Sequence, residues 1–286
     1  MDKEYLNSPQ VNRIIELALA EDTASGDITS RALIPPQQQG KASITAKEGG
    51  VLAGVDVAAL VFRKVEPSLE IIINKGDGEK VKARDVILSV SGSTTVILKA
   101  ERIALNFLSH LSGVATETAK HVAEVKGTTA IILDTRKTTP GMRLLEKYAV
   151  RIGGGQNHRL HLGDGILIKD NHIEALQQQS LSLTDIVVRA KKNAPAGTKI
   201  EIEVNTIPQA LEAATAGANI VMLDNMSLDH IRQAVKHVSG KARLEASGGI
   251  NLNTVRAVAM SGVDYISVGA ITHSARAIDF SLELEV

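Results

Sequence analysis

Short apolar segments rich in β-branched residues alternate with segments of helical period from about Gly127 onward. This alternation narrows the fold of the 286-residue chain more than any other feature. The strand-like segments are 129–133, 166–168, 200–204, 220–223, 244–246 and 265–268. Between them, residues 144–150, 183–193, 208–216, 228–238 and 253–260 carry Ala, Leu and Lys at helical spacing. Strands that are apolar along their whole length bury both faces, so the pattern predicts a parallel sheet covered by helices. Six such strands at regular spacing predict an α/β barrel, possible as an incomplete one; an open doubly wound sheet is the alternative.

The residues before Gly127 follow a different pattern. Residues 11–20 read as an amphipathic helix running into a turn-rich segment, Glu21 to Asp27. Asp22 and Asp27 there read as turn and helix-cap residues rather than as a metal pair. Segments 41–47, 51–53, 71–74, 81–90 and 94–99 read as strands of an antiparallel or sandwich unit, with Gly49-Gly50 and Gly76-Asp77-Gly78 at its turns. Residues 100–111 read as a helix that carries Arg102 and joins the two regions.

Composition removes several classes of function. Aromatic residues make up 2% of the chain and Trp is absent, which argues against the stacking platforms of single-stranded nucleic-acid binders. With no cysteine, disulfides, thiolate metal sites and cysteine nucleophiles are excluded. The polar start, Met1-Asp2-Lys3-Glu4-Tyr5, has no apolar signal core, and the longest apolar patch, 51–62, is broken by Gly54 and Asp56. A cytoplasmic protein that does not span a membrane is expected. Lys and Arg total 32 and balance 32 Asp and Glu, so no overall field accounts for the cations crowded between Leu133 and His172.

Those cations stand where chemistry is expected. In α/β barrels the loops after the strands converge on one open face. Here the successive strand ends carry Asp134, Arg136 and Lys137; Lys169, Asp170 and His172; Glu203; Asp224 and Asn225; Ser247-Gly248-Gly249; and Gly269-Ala270. Arg136, Lys137, Arg159 and Lys169 form an anion-binding set, with His158 beside Arg159 as a further contact. His161 and His172 read as structural. Ser247, Gly248 and Gly249, followed by a helix N-terminus, read as a phosphate grip, with Gly269 and Ala270 as a second open turn. Strand alternation sends Glu201 and Glu203 to one face, where a role for at least one is expected; a salt bridge to Lys169 or Arg136 is the structural alternative. Glu203 and Asp224 could hold sugar hydroxyls, meet Mg2+ through water, or stabilise developing positive charge. No spacing indicates a dedicated metal site.

Taken together, Glu21-Asp22-x-x-x-Gly26-Asp27-x-Thr29, Asp134-Thr135-Arg136-Lys137-Thr138, Gly153-Gly154-Gly155-x-Asn157-His158-Arg159, Ile168-Lys169-Asp170-Asn171-His172, Glu203-Val204, Leu223-Asp224-Asn225 and Ser247-Gly248-Gly249 resemble the quinolinate phosphoribosyltransferase family. That family is also called nicotinate-nucleotide pyrophosphorylase (carboxylating). The match runs in order along essentially the whole chain. The resemblance implies an N-terminal open α/β sandwich domain, 1–115, joined by the C-terminal segment 274–286, and a partial α/β barrel domain, 116–273. It implies conversion of quinolinate and 5-phosphoribosyl 1-diphosphate, the latter accompanied by Mg2+, to nicotinate mononucleotide, diphosphate and CO2. It also implies a homodimer in which Arg102 enters the neighbour's site.

On that resemblance Arg102, Thr135, Arg136, His158, Arg159 and Lys169 would face quinolinate and part of the diphosphate. Ser247, Gly248 and Gly249, with Val268, Gly269 and Ala270, would hold the 5-phosphate, and Glu203 and Asp224 would stabilise the ribose. Lys137 would protonate the ring carbanion. Three other readings stay open at this point: a related enzyme acting on another pyridine or azole acid, a Schiff-base lyase using Lys169, and a non-catalytic sensor of a phosphate ligand, which would leave Glu203 and Asp224 without a purpose.

Overall fold

Residues 4–285 are described in the computed structural model of the chain; the first three residues of the polar start discussed above lie outside them. Two units make up the chain. One contains the chain through Ala119, Thr138–Gly154 and the segment from Ile271 onward; the other contains Lys120–Lys137 and Gly155–Ala270.

The first unit opens with a 3-10 turn, Glu4–Asn7, and the helices α1 (Pro9–Thr23) and α2 (Ile28–Leu33). Asp27 caps α2, its carboxylate accepting the Ser30 amide at 2.9 Å. There follow β1 (Gln39–Ala46), β2 (Gly50–Val51), α3 (Val55–Val65), β3 (Glu70–Ile73), β4 (Lys80–Val81), β5 (Val86–Ser93) and α4 (Thr94–Glu124). Strands β1, β5 and β3 pair antiparallel, and the last strand of the chain, Phe280–Glu285, joins the edge beside β1 with Ala42 opposite Leu284. The alternating burial of β1 places Ala42, Ile44 and Ala46 in the core.

The segment 94–99, read from sequence as a strand, instead forms the first turns of α4. Its β-branched residues suggested a strand, but Ile97, Ala100, Ala104, Leu108 and Leu111 are all buried and recur at helical spacing. Burial of that stripe outweighs local propensity. The stretch 81–90 is likewise divided. A turn between Val81 and Val86 puts Arg84 at φ 74°, and Asp85 accepts the Lys82 amide at 3.0 Å. Of 51–53, only Val51 lies in a strand, and the apolar stretch after it is the buried helix α3.

Gly54 starts α3 at φ 91°, with Leu111 2.7 Å from where a Cβ would stand. Asp77 accepts the first free amides of that helix, Gly54 at 3.0 Å and Val55 at 2.9 Å, and also the Tyr148 hydroxyl at 2.7 Å. Tyr148 lies on α5 (Arg143–Ile152) and stacks on Tyr5 with ring centroids 3.9 Å apart.

The second unit is built on a parallel sheet of six strands: β6 (Ile131–Leu133), β7 (Ile166–Ile168), β8 (Ile200–Val204), β9 (Ile220–Asp224), β10 (Arg243–Ser247) and β11 (Tyr265–Ser267). Their order is β6-β11-β10-β9-β8-β7, so each strand read from sequence is present and the first two lie at opposite edges. The helices are α6 (Asp170–Gln177), which the sequence reading did not include, α7 (Leu183–Asn193), α8 (Ile207–Thr215), α9 (Leu228–Val238) and α10 (Val255–Ala259); the short α11 (Ala270–His273) starts at the last residue of this unit and its remainder belongs to the first. Ser182, Thr206 and Ser227 cap α7, α8 and α9 through their side-chain oxygens.

Among the described residues, no strand joins β6 to β7. The irregular segment after Gly155 occupies that seam. The Gln156 amide donates to Ile132 O at 2.9 Å, and Arg159 Nη1 donates to Gly165 O, just before β7, at 3.2 Å. The sheet is thus a partial α/β barrel with a stitched gap. Among the described residues, no helix is long and apolar enough to cross a membrane.

Candidate active site

A cleft of about 540 Å³ lies at the C-terminal ends of these strands. Thr135, Arg136, Lys137, His158, Arg159, Lys169, Glu203, Asp224, Ser247, Gly248 and Gly249 all line it. Residues far apart in sequence meet there because every parallel strand delivers its C-terminal residue to the same rim.

Each wall has its own local cause. After β6, the Thr135 hydroxyl accepts the Lys137 amide at 3.0 Å and turns the chain so that Arg136 and Lys137 sit together. Asp134, expected among the charged rim groups, is instead fully buried. It accepts the His158 amide at 2.9 Å and the Asn157 side-chain amide, and so anchors the seam. At the end of β7, His172 Nδ1 accepts the Lys169 amide at 2.9 Å and starts α6. Lys169 Nζ lies 3.0 Å from Glu203 Oε1, so the ion pair left open by the sequence is formed. Burial, and then the neighbouring Arg136 guanidinium, pull Arg159 below the ordinary guanidinium value. Two like charges held this close favour an anionic ligand that neutralises both.

On another wall Gly248 has φ 96° and Gly249 has φ 62°. A Cβ on Gly248 would stand 2.2 Å from Asn225 Oδ1, so this turn requires glycine. Asn225 is itself left-handed at φ 52°; its amide donates to Ser247 O at 2.9 Å and its side chain to Asp224 Oδ2 at 2.7 Å. It therefore locks the glycine turn to the acid. The helix expected over 253–260 is formed over the shorter span Val255–Ala259. Asn251 accepts the Asn253 amide and Thr254 Oγ1 accepts the Asn251 amide, each at 3.0 Å, and this local turn delays α10 to Val255. The Gly248-Gly249 turn, half-buried at the first glycine and exposed at the second, makes that wall.

Three expected phosphate contacts are not among the residues that line this cleft. Val268 is buried, its amide bonded to Leu133 O at 3.0 Å, and neither it, Gly269 nor Ala270 lines the cleft. Arg102 belongs to the first unit, where it lines a cavity of about 310 Å³ with Glu21, Asp22 and Asn106. Asp170, Met222, Asn225 and Ser267 also line the cleft and were not assigned from sequence. Of these, Asp170 and Asn225 had a signal, as strand-end residues within Ile168-Lys169-Asp170-Asn171-His172 and Leu223-Asp224-Asn225.

Of the paired glutamates on β8, only Glu203 reaches the rim. Glu201 is buried one layer below, where its Oε2 lies 3.0 Å from His158 Nε2.

The chain matches the model of the quinolinate phosphoribosyl transferase N-terminal domain over residues 27–112 and that of the C-terminal domain over residues 114–283. The chain belongs to this family.

Among named relatives, the nicotinate-nucleotide pyrophosphorylase [carboxylating] of Mycobacterium leprae is 41% identical over 276 residues, which is 94% of this chain and 95% of the relative. The quinolinate phosphoribosyltransferase [decarboxylating] 1 of Nicotiana glauca is 39% identical over 95% of this chain and 81% of its own length. The crystal structure of NadC from Streptococcus pyogenes superposes with a TM-score of 0.92 at 42% identity and covers 96% of both chains.

Proposed function

We propose that this chain transfers phosphoribosyl from 5-phosphoribosyl 1-diphosphate to quinolinate with loss of CO2, giving nicotinate mononucleotide and diphosphate in NAD biosynthesis. The carrying observation is that Arg136, Lys137, Arg159 and Lys169 converge on one cleft with Glu203, Asp224 and the Ser247-Gly248-Gly249 turn. Quinolinate is a dianion, and the paired guanidiniums with Lys169 supply the charge and planar forks it needs. The glycine amides suit the 5-phosphate.

The ring nitrogen attacks the anomeric carbon as diphosphate, carrying its Mg2+, departs. Positive charge builds on the ribose facing Glu203 and Asp224. The nitrogen is now a pyridinium. The bond between ring carbon 2 and its carboxylate breaks, CO2 leaves, and the electron pair stays on the ring carbon. Lys137 supplies the proton that quenches it.

The shared site is part of this reading. In a homodimer, Arg102 of one subunit would complete the other's cleft. Hybrids of Arg102→Ala and Glu203→Ala subunits are then expected to recover activity that neither variant has. No recovery after verified subunit exchange would remove the shared site. A cytoplasmic location accords with the absence of cysteine.

The test of the reaction is release of labelled CO2 from carboxyl-labelled quinolinate, dependent on 5-phosphoribosyl 1-diphosphate and absent with nicotinate. Release from a different acid, or none, overturns it. The Schiff-base reading is disfavoured because Lys169 Nζ is engaged by Glu203 Oε1 at 3.0 Å. Borohydride trapping is expected to yield no covalent adduct.

A further inference from the structure

Directly beneath the cleft, three groups from three parts of the second unit meet. Glu201 comes from β8, Glu245 from β10 and His158 from the seam, and their ligand-type atoms all lie within 4.8 Å of one another. Glu245 is fully buried and Glu201 is 5% exposed. Ser267 on β11 donates to Glu245 Oε1, while Glu245 Oε2 receives no hydrogen bond from a donor group. Two buried carboxylates side by side need either a cation or a proton between them.

His158 decides which. Its Nε2 lies 3.0 Å from Glu201 Oε2 and 3.8 Å from Glu245 Oε2. Those separations bracket the roughly 3.3–3.5 Å between donors in a tetrahedral divalent site. Yet the Arg159 amide donates to His158 Nδ1 at 2.8 Å. A metal-bound imidazole carries its remaining proton on the other ring nitrogen and donates it, and here that nitrogen accepts. The proton therefore sits on Nε2 and points at Glu201. Nothing is left to bridge the two acids but a proton of their own.

We propose that Glu245 is a positioning residue: it carries the single proton of a Glu245–Glu201 carboxyl pair and, through Glu201 and His158, holds Arg159 in its dianion-binding arrangement. The role assigned to Arg159 rests on the reaction proposed above. Burial first, and the Glu201 charge second, push the Glu245 carboxyl up to about 8. The charged and titratable groups around the pair, lining one cavity with it, are His158, Arg159 and Asp164 from the seam, Lys199 just before β8 and Tyr265 on β11; beyond Arg159 lie Arg136 and Glu203. At neutral pH the pair carries one negative charge, which His158 Nε2–H answers. Loss of the shared proton puts a second negative charge under the rim, where it competes with the substrate's carboxylates for Arg159.

The kinetic test compares wild type with Glu245→Gln, whose amide can replace the acid's proton. In the wild type, KM for quinolinate is expected to rise about fivefold from neutral pH to about pH 9.5, with kcat changing less. In Glu245→Gln that rise is expected to vanish. A wild-type rise retained in the variant overturns the proposal.

Two measurements on the unmutated protein stand apart from catalysis and from the variant's folding. Infrared spectroscopy at neutral pH is expected to show a buried protonated carboxyl, and nitrogen NMR of labelled histidine an Nε2–H tautomer for His158. An Nδ1–H tautomer, or no buried acid, overturns the proposal. Titration with Zn2+ or Mn2+ alone is expected to show no binding at this cluster; binding that disappears in Glu245→Gln would make it a metal site instead. If quinolinate releases no CO2 while these spectra are as expected, the proposed reaction fails and the proton-sharing pair stands.

Discussion

Lys137 and Gly248 show how differently single residues reach the same cleft. Lys137 is placed by its neighbour's hydroxyl and is needed for its proton, so Lys137→Ala is expected to lower kcat by about 10²- to 10⁴-fold. Turnover near wild type in a steady-state assay would take Lys137 out of the mechanism. Gly248 is needed for the space it leaves. In Gly248→Ala the new methyl meets Asn225 2.2 Å away at a φ of 96°. The expected outcome is at least about a tenfold rise in KM for the phosphoribosyl donor, since the amides that face its phosphate are displaced. An unchanged KM would show that this turn does not bind it. Residue types at the rim could be read directly from the chain, because cations and glycines at strand ends are visible in one dimension. The partners that orient them, Asn225 on Gly248 and Thr135 on Lys137, could not.

Elements were legible where the burial pattern was continuous. The apolar strands of the second unit and the helices between them follow their own periodicity. The start of α4 did not, since Thr94-Thr95-Val96-Ile97 has strand-like composition and becomes helical only by burying its stripe. Capping at a distance is equally hidden. Asp77 closes α3 from 23 positions away along the chain and is held by Tyr148. Burial raises the Asp77 carboxyl above its ordinary value, so the carboxylate depends on its donors. Tyr148→Phe is therefore expected to destabilise the first unit by about 1–2 kcal/mol, measured by denaturant unfolding. No loss would mean that the two helix amides suffice.

For the whole molecule, the buried acid pair sets a pH dependence of stability. Glu245 has an ordinary value of 4.5 and is raised to about 8 in the fold. Between those pH values the native state keeps a proton that the unfolded chain has released, so stability falls as pH rises across that window. The contribution is complete below 4.5 and absent above about 8. The Tm of the wild type relative to Glu245→Gln is thus expected to decline through this range and then level off. A difference that stays constant with pH would show that the carboxyl is not shifted.

The chain alone determined the alternation that makes a parallel sheet, and with it the rim on which Arg136, Lys137, Lys169, Glu203 and Asp224 gather. Both follow from short-range periodicity, and a parallel strand can deliver its C-terminal residue to only one end. Tertiary structure alone decided which of two alternating glutamates would face the cleft and which would be buried. It also turned Asp134 inward and brought His158 across the seam onto Glu201 and Glu245. Those outcomes depend on the order of strands around the sheet and on the unpaired gap between β6 and β7. A local pattern does not encode either, because the groups that meet are contributed by segments tens of residues apart.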